Sequence, residues 1–167
     1  MGEKRPTAAP DITFRRHMTL RLGGTTVRLQ HVGKNHSDNM IVVRFPAERI
    51  VYAVDFIPIR ALAYRDFPDA YMPDWISSIR RVERMDFDIL APGHGPLGKK
   101  ADAAAFRRYL TDLYNAVLTG ARQGMSLDQL KATITLEKYK DWGQYKQYRA
   151  LNIEGMYRLV QANRRGN

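Results

Sequence analysis

Residues Ile12 to Leu22 alternate apolar and polar side chains, and this stretch limits the folds open to the chain more than any other. Ile12, Phe14, Met18, Leu20 and Leu22 fall on one side; Thr13, Arg15, His17, Thr19 and Arg21 fall on the other, with Arg16 the one exception. A period of two over that length predicts a long, half-buried strand. Gly23-Gly24 supplies the positive φ angles of a tight hairpin turn, and Val27, Leu29 and His31 carry the alternation back. The chain therefore opens as an antiparallel ribbon with one apolar face. In this scheme His17 points to solvent and His31 belongs to its strand.

A polar break, Gly33-Lys34-Asn35-His36-Ser37-Asp38-Asn39, separates the ribbon from a third strand over Met40 to Phe45. Pro46-Ala47-Glu48-Arg49 turns the chain into a fourth strand, Ile50 to Val54, which ends in Asp55. Residues 56–73 show no clean period and contain Pro58, Pro68 and Pro73, the pattern of a long irregular loop that serves as a lid or a pocket wall. Asp74 is placed to cap a helix whose stripe of Trp75, Ile76, Ile79 and Val82 runs out near Met85. Asp86 to Ala91 reads as a fifth strand, cut by Pro92-Gly93 so that His94 stands at its end. A helix between two strands makes a crossover, so the fold is α/β in layers.

Asp102 opens a long helix with Phe106, Leu110, Leu113 and Val117 on its buried side, closed by Gly120 or Gly124. Ser126-Leu127-Asp128-Gln129 fits a capping box, and Ile153, Met156, Tyr157 and Val160 stripe a final helix. Tyr139, Trp142, Tyr145 and Tyr148 gather around Gly143, either as a packing layer or as a contact for a partner or substrate. These readings divide the chain into a flexible N-terminal segment over 1–11, a main unit over 12–124 and a helical extension over 125–167.

At 167 residues the chain can bury one core without staples. With no cysteine it has no disulfide, no zinc–thiolate site and no thiol nucleophile. No apolar run is long enough to span a membrane, and the first ten residues do not read as a signal peptide, so a cytoplasmic location without membrane contact is expected. The net charge of +10 allows a polyanion-binding surface, but Lys and Arg occur as scattered pairs such as Arg15-Arg16 and Arg80-Arg81. A nucleic-acid-binding fragment therefore stands only as an alternative.

His36, Asp55 and His94 now occupy the ends of three strands, and imidazole with carboxylate is the ligand chemistry zinc takes when thiolates are absent. From the residues alone, Asp55 capping a turn and His36 sitting in a loop explain the first two as well as metal binding does.

The motifs resemble those of the metallo-β-lactamase-fold hydrolases, in their C-terminal half. Gly33-Lys34-Asn35-His36-Ser37-Asp38-Asn39 is similar to the family's Gly-x-Gly-His-Thr-x-x-Asn/Gly segment. Val51-Tyr52-Ala53-Val54-Asp55 is similar to the strand ending in the bridging aspartate, with Val54 where that family usually has glycine. Ala91-Pro92-Gly93-His94-Gly95-Pro96 is similar to the Pro-Gly-His-Gly loop. The resemblance implies half of an αββα sandwich: an antiparallel-rich mixed sheet of about five strands, helices on one face and a C-terminal helical extension. It also implies two zinc ions that activate a bridging water, with His36 on the first, Asp55 bridging, His94 on the second, and Asn39 as a substrate contact.

The family's His-x-His-x-Asp-His motif is absent, since no two of His17, His31, His36 and His94 are two residues apart. No catalytic residue is therefore assigned, and the chain alone is expected to be inactive or weakly active, as a truncated half. Self-association or a separate N-terminal half-domain is the expected partner, and a small ester, amide or thioester the expected substrate of the completed site. A non-catalytic assembly module of the same fold is the competing reading.

Overall fold

A computed structural model describes residues 8–165, and side chains through residue 163. Residues 1–7 of the N-terminal segment expected to be flexible lie outside that range. Five strands, β1 (His17–Leu22), β2 (Thr25–His31), β3 (Ile41–Phe45), β4 (Ile50–Tyr52) and β5 (Ile89–Ala91), form one sheet in chain order. The first three pairings are antiparallel and β4–β5 is parallel. Helix α1 (Asp74–Glu83) makes the crossover into β5, followed by α2 (Lys100–Arg122), α3 (Leu127–Thr133) and α4 (Tyr145–Arg165). The mixed sheet with its layer of helices is the fold class read from the sequence.

The sheet has two unlike faces. Register puts Val42, Val51 and Leu90 on one side, all fully buried in the core with Ile79, Phe106 and Leu110 of the helices. Side chains alternate along strands, so the other side carries Met18, Leu20, Leu22, Val27, Leu29, Ile41, Val43, Phe45, Ile50, Tyr52, Ile89 and Ala91. None of these is buried, and Leu20 and Leu22 are 44% and 86% exposed. The half-buried strand expected from the first alternation is corrected here: among the described residues nothing covers its apolar face.

That strand is also shorter than expected, beginning at His17 rather than Ile12. Its pairing runs out where β2 leaves the sheet: His31 N donates to the Arg16 carbonyl at 2.8 Å, and the next residue, Val32, is drawn into the core. Ser78 Oγ and Arg81 Nη1 of α1 both donate to the Val32 carbonyl, at 3.0 and 2.5 Å. At the helix ends, Pro73 and Lys99 take the cap positions expected of Asp74 and Asp102. Asp102 instead completes the cap from inside the helix, accepting from Lys99 N at 2.7 Å. The Ser126–Gln129 capping box forms as expected. No helix among the described residues is long and apolar enough to cross a membrane.

Arg49 clamps the start of β4 to the approach of β5, donating from Nε to Asp88 at 2.7 Å and from Nη1 to Asp86 at 2.6 Å. The guanidinium holds both carboxyls below their ordinary range, through hydrogen bonds first and charge second for Asp86. Groups with depressed folded-state pKa stabilise the fold above their unfolded pKa and lose that contribution as pH falls through the folded value. Arg49→Gln is therefore expected to lower the urea midpoint at pH 6–7 and to converge on the parent as pH falls through the depressed folded-state pKa of the two carboxyls. A difference that persists unchanged in acid contradicts the clamp.

Candidate metal centre

Parallel pairing brings two of the three sequence-nominated ligands together. The offset that sets Val51 against Leu90 and Tyr52 against Ala91 also sets Asp55 against His94 beyond the strand ends. The two chains stay in contact there: Ala53 N donates to the Ala91 carbonyl at 2.8 Å and Gly93 N to the Val54 carbonyl at 2.5 Å. His94 Nε2 lies 3.4 Å from Asp55 Oδ1. Gly93 is required for this approach, because a Cβ at that position would overlap Asp55 Oδ1 and press on the Val54 carbonyl. The His94 side chain is 92% exposed and that of Asp55 41%, so both remain open to a third party.

His36 arrives from the loop after β2, which α1 fastens in place. Ser78 Oγ lies 2.7 Å from the Lys34 carbonyl, and the Asn35 amide donates to the Gly33 carbonyl at 3.1 Å. Gly33 has φ +101, and any Cβ there would strike the Arg81 guanidinium. Trp75 supports the site twice: its ring meets His36 edge-on at 6.0 Å, and its Nε1 donates to the Phe56 carbonyl at 2.8 Å, one residue past Asp55. Trp75, Ser78 and Arg81 form a support that sequence reading missed. Trp75 was visible only as one residue of an apolar helical stripe.

His36, Asp55 and His94 line one cavity of about 620 Å³. His36 Nδ1 is itself buried without a hydrogen-bond partner, an arrangement that costs about 1–3 kcal/mol if nothing satisfies it. Asn39 is not among the residues lining the cavity; its Oδ1 accepts from Ser37 Oγ at 2.8 Å. His31 belongs to β2, as its alternation implied, and is not among the residues lining the cavity. Among the described residues no three His, Cys, Asp or Glu side chains are close enough to enclose a metal ion. Two imidazoles and a carboxylate suit zinc in kind.

Val54 carries φ +43, a left-handed conformation that is unfavourable for a β-branched residue. This twist turns Asp55 out of the strand line, and it explains why glycine serves well before such an aspartate. Relief of about 1–2 kcal/mol of backbone strain against about 0.5–1 kcal/mol of extra chain entropy makes Val54→Gly neutral to mildly stabilising. Val51→Gly, in the buried core three residues from the twist, is expected to cost at least about 3 kcal/mol. Urea unfolding of both variants checks the contrast, and a loss above about 1 kcal/mol for Val54→Gly contradicts the strain.

The profile of the metallo-beta-lactamase superfamily matches residues 2–94. The chain is 26% identical over 125 residues to the 2,4-dinitroanisole O-demethylase subunit alpha of Nocardioides sp. (strain JS1661), covering 74% of this chain and 35% of that protein. It is 30% identical over 84 residues to the metallo-beta-lactamase type 2 of Bacillus sp. (strain 170), covering 48% and 33%. The chain thus spans about a third of the length of these curated relatives. Among solved structures, a metallo-beta-lactamase from Pontibacter korlensis superposes with TM-score 0.52 at 22% identity, over 60% of this chain and 50% of that one. The sec-alkylsulfatase Pisa1 from Pseudomonas sp. superposes with TM-score 0.70 at 14% identity, over 90% of this chain and 26% of that one. At such identities these two likenesses speak to fold alone.

Proposed function

The chain belongs to the metallo-beta-lactamase superfamily, and from that premise we propose that it carries one side of a metal-dependent hydrolase centre, with His36, Asp55 and His94 as ligands. The observation that carries the reading is the meeting of three separate chain segments, bearing His36, Asp55 and His94, in one cavity. In a two-zinc centre His36 would hold one ion, His94 the other, and Asp55 both. Zinc, when bound, supplies Lewis-acid polarisation and lowers the pKa of water.

The chain's own residues prepare that chemistry. Trp75 fixes the His36 ring, Gly93 admits the Asp55 carboxylate against its loop, and the parallel register holds His94 beside Asp55. A catalytic zinc normally takes three protein ligands, so two of these three residues per ion is one short and the remaining ligands come from outside them. The apolar sheet face points to their source. Twelve apolar strand side chains, two of them exposed and ten only partly buried, make a continuous apolar face of the kind that marks an interaction surface. A complementary half-domain docked there would cover the face and approach the cavity from the opposite side. Small ester, amide or thioester bonds are the substrate class this reading takes.

The test is zinc content and affinity of the chain and of His94→Ala, each alone and with the N-terminal half-domain of a relative added. The reading expects zinc retention by the parent to rise with the added half and to fall in the variant. Equal zinc in parent and variant under both conditions removes it. The open face by itself also favours a second reading, a metal-free assembly module. Concentration-dependent association by light scattering, unaltered by zinc or by His94→Ala, would select that one.

A further inference from the structure

Beyond the three proposed ligands, the cavity has a second wall built by the C-terminal part of the chain. Pro58, Ala61, Leu62 and Tyr64 come from the loop after Asp55, and Gln144 and Tyr148 from the start of α4. A short parallel bridge, Ala61 to Gly143, ties the two segments. Leu62 N donates to the Gly143 carbonyl at 3.0 Å, and Gly143 N donates to the Arg60 carbonyl at 2.8 Å. The side chains close the seam: Tyr64 and Tyr148 meet edge-on at 5.6 Å, and the Arg65 guanidinium lies 5.1 Å over the Tyr64 ring.

Two features argue against simple packing. Tyr64 is 63% exposed yet held by neighbours on two sides, so the ring is oriented without being buried. Arg60 and Gln144, flanking the bridge, have φ of +46 and +67, strain of the kind that persists at binding sites because surrounding contacts enforce it. Apart from Gln144, the remaining wall residues, Pro58, Ala61 and Leu62, are apolar. No charged side chain lines this wall itself, and the Arg65 guanidinium beside it is engaged with the Tyr64 ring.

We propose that Tyr64 and Tyr148 are specificity-determining residues that receive an uncharged aryl group of the substrate beside the His36–Asp55–His94 side of the cavity. A flat ring laid against the paired tyrosines gains aromatic contact as well as apolar burial, which a charged group of the same size cannot exploit. The proposal rests on the hydrolase reading for what happens to the substrate, but not for its binding.

The test uses the full chain with a chelator present, so that it does not depend on metal. Benzyl alcohol is titrated by two-dimensional NMR against the parent, Tyr64→Ala, Tyr64→Phe and Tyr148→Ala, with choline and hexanoate as charged probes. The wall predicts shifts centred on Tyr64, Gln144 and Tyr148, about tenfold weaker binding in either alanine variant, retention in Tyr64→Phe, and weaker binding of both charged probes. Because Tyr64 is exposed, its truncation leaves the fold intact even if Tyr148→Ala does not. Equal benzyl alcohol affinity in the parent and Tyr64→Ala overturns the proposal, as does choline or hexanoate binding the same residues equally well. A chain that binds no zinc but passes this test loses the hydrolase reading and keeps the wall. One that binds zinc as proposed but fails this test loses only the wall.

Discussion

Asn152→Ala is expected to destabilise the chain by about 3–5 kcal/mol, the largest single loss foreseen outside the apolar core. Asn152 is fully buried and uses both ends of its amide. Its Oδ1 accepts from the Tyr109 hydroxyl at 2.6 Å, while Nδ2 donates to the carbonyls of Ala63 at 2.9 Å and Arg65 at 2.6 Å. One side chain of α4 thereby fastens α2 and the loop that walls the cavity. Truncation leaves three polar groups without partners, two of them in fully buried bonds, and an unsatisfied buried group costs about 1–3 kcal/mol. Tyr109→Phe removes one partner only and should cost about 1–2 kcal/mol. In the double variant the Tyr109 loss should largely vanish, because its partner is already gone. Urea denaturation of the four proteins reads the cycle. Additive losses, or less than about 1 kcal/mol for Asn152→Ala, would show that the network does not hold the helix to the loop.

Asp55→Ala should reduce zinc affinity of the completed site by more than about a hundredfold, beyond the 10–100-fold typical of residues that merely orient a ligand. Asp55 is the residue on which both sides of the proposed centre depend: it lies 3.4 Å from His94 and shares the cavity with His36. Its carboxylate is substantially exposed, so its removal should leave stability almost unaltered. That separation of effects is informative. A drop in metal affinity with an unchanged urea midpoint assigns the loss to coordination. A fall in both would make Asp55 a structural residue, and unchanged affinity would remove it from the site.

The two variants mark the limit of what the sequence discloses. Metal-site geometry was accessible because it depends on strand ends: once Ile50 to Val54 and the run to Ala91 are strands, Asp55 and His94 must emerge beside one another if those strands pair. The Pro92-Gly93 break and the Gly33 break carry that information in local chemistry. Asn152, Trp75, Ser78 and Arg81 act across more than 15 positions of sequence, and no local pattern distinguishes them from ordinary helix residues. The alternation from Ile12 to Leu22 shows a different limit. Period two reports that a strand has an apolar face, but not whether the same chain covers it. Here the helices cover the opposite side, so Leu20 and Leu22 stay exposed while Val42, Val51 and Leu90 fill the core. The tyrosine wall shows a third limit: the cluster around Gly143 was open between packing and contact, and the structure divides it. Tyr139 and Trp142 pack together at 4.8 Å, and Tyr148 turns to the cavity.

Zinc-edge anomalous diffraction from crystals of the chain with the added half-domain, grown with zinc, tests whether His36, Asp55 and His94 are metal ligands. Coordination by them gives anomalous density in the cavity within about 2.0–2.2 Å of an imidazole nitrogen of His36 or His94 and of the Asp55 carboxylate. Zinc bound elsewhere, with that cavity clear of anomalous density at saturating metal, would contradict it.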